Sequence, residues 1–340
     1  MRFNAEKYSI KNLTQPKEKK HAKKQRIISK IILSAARAVF LIAMSYIVLF
    51  PVMFMVSNAV KTGTDSVDPT IIWIPKHFTL QNFKIALKLL SFKDSFILSV
   101  VISVGSALLQ VISSAFIGYG FARFEFKGKK VMFACVLFTV IIPQQVILMP
   151  TYLQYMFFDF FGIGQLPEMM GYVGTTTLLN TPLTFFLPSV LGVGLKGGLF
   201  IYIFRQFFKG MPKELDNAAK IDGCGPFKTF LKIMLPNSLN SMLTVFLFSV
   251  VWHWNELFYQ SMFFSKVIPL APQLNAMRER IFRSMQSSSS EMAALFSGDA
   301  GSIESIVQAS ALLIVIPILL LYIICQRFFI EGVERSGITE

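Results

Sequence analysis

Charge is scarce where this 340-residue chain is most apolar. Six long hydrophobic blocks, 38–59, 95–121, 131–150, 183–204, 239–262 and 305–325, hold only two of its 33 basic and 19 acidic residues, Lys196 and Glu256. A charge in hydrocarbon is costly and survives mainly where it works, so two are too few for a proton relay. A phosphate loop of the form G-x-x-x-x-G-K-[ST] is missing. The glycine cluster Gly192, Gly194, Gly197 and Gly198 has no following Lys and Ser or Thr to hold phosphate and magnesium, so the chain is not expected to hydrolyse ATP by itself. His21, His77 and His253 lie far apart in sequence, so no metal-ligand or nucleophile–base arrangement can be argued from them. Cys135, Cys224 and Cys325 show no paired spacing, and two of them fall inside the blocks, against a disulfide framework or a metal site. Catalytic residues, cofactors and metals are expected to be absent from this chain.

What the chain does contain is membrane composition. Its residues are 54% hydrophobic and 15% charged, against about 25% charged in a typical soluble domain. A hydrocarbon core of about 30 Å takes roughly 20 helical residues to cross, and each block reaches that length. The expected fold is all-α, an integral membrane protein of six transmembrane helices. The first block follows a long polar segment and is too long for a signal-peptide core, so it should remain as an anchor.

Orientation follows from the basic residues of the connections, because positive loops resist translocation. The segments before block one, between two and three, between four and five, and after six carry 23 Lys and Arg, and the alternate segments carry 9. Both termini are therefore expected in the cytoplasm of a bacterial plasma (inner) membrane. The same bias accounts for most of the net charge of +14, so no nucleic-acid partner is implied. The most basic part, residues 1–37, clusters Lys17, Lys19, Lys20, Lys23, Lys24 and Arg26. It could bind anionic lipid headgroups, although a solvated, mostly disordered tail is the plainer reading. The expected organisation is this N-terminal segment, a six-helix transmembrane domain over 38–332, and a short tail over 333–340.

The most informative stretch is the connection 205–238, which reads as two short helices. Pro212 suits a first helical turn, Glu214 and Asp216 favour the positive end of the helix dipole, and Gly223 can end the helix in a left-handed conformation. Pro226 can start the second helix, expected to run to about Leu235 before Pro236 interrupts it. On the first helix Leu215, Ala218, Ala219 and Asp222 share one small, partly apolar side at i, i+3, i+4 and i+7 spacing, which suits close docking.

This loop resembles the E-A-A-x-x-x-G-x(9)-I-x-L-P signature of permease subunits of binding-protein-dependent ABC importers of type I. Ala218, Ala219, Gly223, Ile233, Leu235 and Pro236 fall in register, and Asn217 stands where the family carries its first Glu. The surrounding E-L-x-x-A-A-x-I-D-G and Phe230 look like the carbohydrate branch, in particular the second permease of maltose-type systems, and the likeness runs from 38 to about 332. The resemblance implies a coupling helix docked in a cleft of an ATPase subunit, carried here by Glu214, Leu215, Asn217, Ala218, Ala219, Asp222 and Gly223. Asn217 cannot supply the family's charge to that contact. Glu214 lies one helical turn away and is the substitute at hand. The partners implied are a second permease, two ATPase subunits that bind ATP and magnesium, and an extracytoplasmic sugar-binding protein touched by the outer stretch 263–304.

Substrate-pathway candidates come from blocks four and five. Pro188 and the four glycines weaken block four and free backbone groups that need polar company. Lys196 lies nine residues, about 13 Å of helix, before Arg205, hence near mid-membrane. It is either a pathway residue or one half of a structural pair. In block five Trp252, Asn255 and Glu256 combine an aromatic face with hydrogen-bonding groups, as a sugar site or as an interfacial belt would, with Trp252 and Glu256 on one side of a helix. The rival to an ATP-driven importer is a carrier or channel working without ATP through Lys196 and Glu256.

Overall fold

The computed structural model describes residues 16–158, 177–286, 296 and 301–337. Segment 1–15, residues 287–295 and 297–300 of the outer stretch, and the tail 338–340 lie outside the described residues, as do the side chains of the basic cluster 17–26. Apart from one isolated antiparallel bridge between Lys61 and Phe78, the regular structure among the described residues is helical. Residues 1–57 and 58–340 form separate units and are taken in turn.

The first unit is dominated by α1 (Pro16–Ala59), a 44-residue helix interrupted by no break despite Pro51. Helical structure begins at Pro16, more than twenty residues before block one, so the disordered tail expected over 1–37 is corrected for 16–37. Its stretch 16–37 is rich in Lys and Arg, whose straight-chain side chains lose little freedom in a helix. From Ile27 to Phe54 the apolar side chains of α1 are exposed, as suits a helix solvated by lipid.

The second unit begins with α2 (Gly63–Val67) and α3 (Gln81–Leu89), which lead into α4 (Phe92–Arg123). Here the backbone N–H of His77 donates to Asp65 at 2.7 Å and holds that carboxyl below its usual pKa. Helix α4 buries a stripe of small and polar residues that includes Ser99, Ser103, Ser106, Ala107, Gln110, Ser114 and Ala115. Small side chains let backbones approach where the solvent is itself apolar. Along that stripe pack α7 (Leu183–Val190), α8 (Gly197–Gly210) and α11 (Leu239–Trp254), while α5 (Lys129–Ile141) packs on α8.

Among the described residues three helices, Ile27–Ala59, Phe92–Arg123 and Ile303–Gln326, are long and apolar enough to cross a membrane unaided. Two more segments reach that length only as bent pairs. Block three is not one straight helix: α5 and α6 (Gln144–Met156) meet at 99°. Pro143 lacks an N–H and forces Ile142 into an extended conformation (φ −64°, ψ 124°), which ends α5. The second pair joins α11 to the helix begun by α10 (Pro226–Thr229), bent by 78°. That helix passes through a π-helical turn, Phe230–Met234, to a last turn at Leu235–Asn237. Pro236 therefore lies within the final turn, and the chain bends after it at Ser238. Block four is also divided, as its glycines suggested: α7 and α8 are separated by residues 191–196.

The chain continues through α12 (Phe258–Phe263), α13 (Leu270–Asn275), α14 (Met277–Gln286) and α15 (Ile303–Gly337). Helices α13 and α14 pack on α15, and α14 on α3, around Ile85, Leu270, Met277, Ile281 and Ile306. The described residues of the stretch 263–304 are thus partly helical and packed into the core.

Candidate functional site

The motif loop closes with the helix end that its sequence implied. Helix α9 (Glu214–Ile221) ends at Asp222, and Gly223 takes φ +68°. There the N–H of Cys224 bonds the carbonyl of Ala219 at 2.8 Å and the N–H of Gly223 bonds that of Lys220 at 3.1 Å. This paired closure needs a left-handed residue, which glycine adopts without steric cost. Glu214 and Asp216 sit in the first turn as expected.

The two sides of α9 differ from the expected docking face. Ala219 is 1% exposed, and Leu215 packs against a cluster of Tyr119, Phe204, Phe208, Phe230 and Met234. These two motif residues turn into the chain's own core. Glu214, Asn217, Ala218 and Asp222 are exposed, as is Ile221, an 86%-exposed apolar side chain that the sequence reading passed over. Gly223 is exposed and has open space where a Cβ would stand, so its requirement is conformational rather than steric.

A second unanticipated residue fixes the loop. Arg123, the last residue of α4, pairs with Asp216 at 3.1 Å and donates to the Met211 carbonyl at 2.9 Å. The aromatic contacts Tyr119–Phe230 and Phe208–Phe230, at 5.1 and 6.3 Å between ring centroids, continue the link from the loop into α4 and α8.

At the broken segment, Lys196 precedes α8 in a left-handed conformation, φ +58°, that an L-residue pays roughly 1–2 kcal/mol to hold. Gly192, at φ +76°, makes the other turn of the break. The carbonyl of Leu195, freed by the break, accepts the Gln110 side-chain amide at 2.8 Å. Ser249 in turn donates to Gln110 at 2.9 Å, and His253 Nδ1 lies 2.8 Å from the Ser249 carbonyl. This buried polar seam ties α4 and α11 to the break, which satisfies backbone that has no water to bond.

Beside the break lies a cavity of about 640 Å³, whose polar lining includes Gln144, Gln154, Tyr155, Lys196, His253 and Tyr259. The Lys196 ammonium stands 4.7 Å from the centre of the Trp252 ring, a cation–π contact that brings blocks four and five together. The other two candidates do not join it. Helix α11 ends at Trp254, so Glu256 is not on a helical face with Trp252; its carboxylate accepts the N–H groups of Phe258 and Gln260 and caps α12. Asn255 is exposed and donates to the Val251 carbonyl at 3.0 Å.

Several carbohydrate permeases are similar over most of this chain. The arabinooligosaccharides transport system permease protein AraQ of Halalkalibacterium halodurans is 27% identical over 86% of this chain and 92% of its own length. The trehalose transport system permease protein SugB of Mycobacterium tuberculosis is 25% identical over 85% and 92%. The diacetylchitobiose uptake system permease protein NgcG of Streptomyces coelicolor is 24% identical over 87% and 86%. The fold matches a chain of a bacterial ABC transporter involved in the import of the acidic polysaccharide alginate, at a TM-score of 0.68 and 18% identity, over 88% of this chain and 98% of that one. The model of the binding-protein-dependent transport system inner membrane component family matches residues 111–335, so the chain belongs to that family and is a permease of a binding-protein-dependent ABC importer.

Proposed function

We propose that this chain is one of two permease subunits of an ATP-driven importer of sugars or oligosaccharides. The other parts are a second, similar permease, two cytoplasmic ATPase subunits binding ATP and magnesium, and an extracytoplasmic binding protein. The observation that carries the reading is α9: a short helix with its inner side locked to the transmembrane core and its outer side exposing Ala218 and Ile221. Ala218 and Ile221 lie three positions apart on the same side of the helix and together offer a small apolar contact surface for a partner. The sugar class is supported by the named relatives, which serve arabinooligosaccharides, trehalose and diacetylchitobiose.

The domain over 38–332 crosses the membrane six times in this reading, with α7 and α8 together as the fourth crossing and both termini in the cytoplasm. Nucleotide closure draws the ATPase subunits together and moves α9. Arg123 and the Phe230 cluster pass that motion to α4 and α8, and the cavity at the break changes the side to which it opens. Lys196 and Trp252 line the pathway by this reading, while Glu256 and Asn255 hold the turn after α11. The test is ATPase activity of the assembled complex against a panel of oligosaccharides with their binding protein. Stimulation by one class of sugar is expected; stimulation by none, with a non-sugar substrate active instead, would overturn the substrate class.

A further inference from the structure

A second, larger cleft lies where α4 ends, α5 begins and the motif loop folds beneath them. It encloses about 1180 Å³ and is lined by seven basic side chains and two carboxylates, Glu125 and Asp216. Both carboxylates are already taken: Glu125 by Lys129 at 2.9 Å and Asp216 by Arg123 at 3.1 Å. Lys130, Arg205 and Lys209 line the cleft with no carboxylate in ion-pair contact among the described residues. The Arg205 guanidinium stands over the Phe133 ring, 4.0 Å from its centre, and its buried Nε has no hydrogen-bond partner. The Arg123 side chain is 8% exposed, and its Nε is likewise buried and unpartnered. Donors held in place without acceptors are costly in the interior unless something supplies the acceptors.

The geometry points to a bound anionic glycerophospholipid, its phosphate seated among Arg205, Lys130 and Lys209. Three features select a lipid over a soluble phosphate. The cleft is bordered by the exposed apolar side chains of Phe126, Val131 and Leu137, a surface that acyl chains would cover. It sits at the end of α4 and the start of α5, where a span meets the headgroup layer. The leaflet concerned is the cytoplasmic one on the orientation proposed above, the leaflet in which basic residues meet anionic lipid. A headgroup in this place touches both the membrane helices and the motif loop, so lipid composition would set how firmly α9 is held. The inference rests on the importer reading only for that orientation; lipid retention is measured without transport.

The test is native mass spectrometry of the whole complex extracted from bilayers of phosphatidylglycerol and phosphatidylcholine. The wild-type complex should retain phosphatidylglycerol. Arg205→Gln should lower that retention about fivefold, the worth of one cation near the surface, and Arg205→Lys should keep most of it. Lys130→Gln with Lys209→Gln, both exposed, should lower it in a protein whose folding is undisturbed. Lys232→Gln, an equal charge loss outside the cleft, should change nothing. An equal fall with Lys232→Gln would mean diffuse attraction, and displacement by soluble glycerophosphoglycerol at similar concentration would mean a small-anion site. Retention only after the ATPase subunits are stripped would mean that a protein surface fills the cleft. Each of those three results overturns the proposal.

Discussion

Arg123 and Asp216 are separated by 93 positions in the chain, yet their side chains pair at 3.1 Å while the second guanidinium nitrogen of Arg123 holds the Met211 carbonyl at 2.9 Å. One residue at the end of a membrane helix thereby grips both the first turn of α9 and the backbone that leads into it. The side chains are 8% and 18% exposed, so water does little to weaken the pair.

Removing the cation strands a largely buried carboxylate, at a cost of about 3 kcal/mol. Arg123→Gln should therefore loosen the motif loop, lower transport at least tenfold and leave residual ATP hydrolysis uncoupled from it. Asp216→Asn in the same chain should recover part of the loss, because the stranded charge is gone. A double-mutant cycle on melting temperature and uptake measures this, and strictly additive losses would show that the pair does not couple the two elements.

The inner and outer sides of α9 should separate experimentally. Ile221→Asp changes an 86%-exposed side chain and should leave permease stability within about 0.5 kcal/mol while reducing ATPase retention on the purified subunits. Ala219→Leu overpacks a position 1% exposed and should cost about 1–3 kcal/mol of permease stability before any partner is added. Gly223→Val should act on the loop itself, by roughly 1–2 kcal/mol for a left-handed residue with a side chain, and Asn217→Glu should be tolerated at an exposed site. Thermal unfolding of the permease pair beside ATPase co-purification distinguishes the classes.

Lys196 combines a strained backbone with a cavity-lining ammonium, and two substitutions part these roles. Lys196→Gly relieves the left-handed strain by about 1 kcal/mol and removes the charge; Lys196→Met keeps the strain and removes the charge. Uptake should fall similarly in both, with the Gly variant the more stable. Normal uptake by Lys196→Met would return the lysine to a structural role on Trp252.

What was legible in the sequence was local. The helix end at Gly223 was readable because a left-handed stop is decided by a few neighbouring residues, and the weakness of block four because Pro188 and the glycines act where they stand. The bend of block three was missed although Pro143 was in view, since a count of apolar residues is blind to a lost N–H. Glu256 was misplaced because the end of α11 at Trp254 carries no strong stop signal, and a carboxylate that caps the next helix looks in sequence like a charge in a membrane. Ala219 and Ala218 are adjacent and alike, so only the burial of the folded chain could assign one inward and one outward. Arg123–Asp216, Gln110–Leu195 and Lys196–Trp252 each join distant segments, and a periodicity read within one segment has no access to them.

Orientation is open to direct chemistry. In a background freed of Cys135, Cys224 and Cys325, Gly128→Cys should react with an impermeant maleimide only from the cytoplasmic side, and Val67→Cys and Ser265→Cys only from outside. A single residue labelled from the wrong face would require a different number of crossings.

The central claim is that ATP hydrolysis by partner subunits drives sugar through this chain by way of α9. It is tested most directly by uptake of labelled oligosaccharide into vesicles holding the assembled complex, with ATP sealed inside and the binding protein outside. Wild type should accumulate the sugar only when ATP is present, and Ile221→Asp, with its permease intact, should lose most of that accumulation. Accumulation without ATP, or full accumulation by the Ile221→Asp complex, would contradict the account.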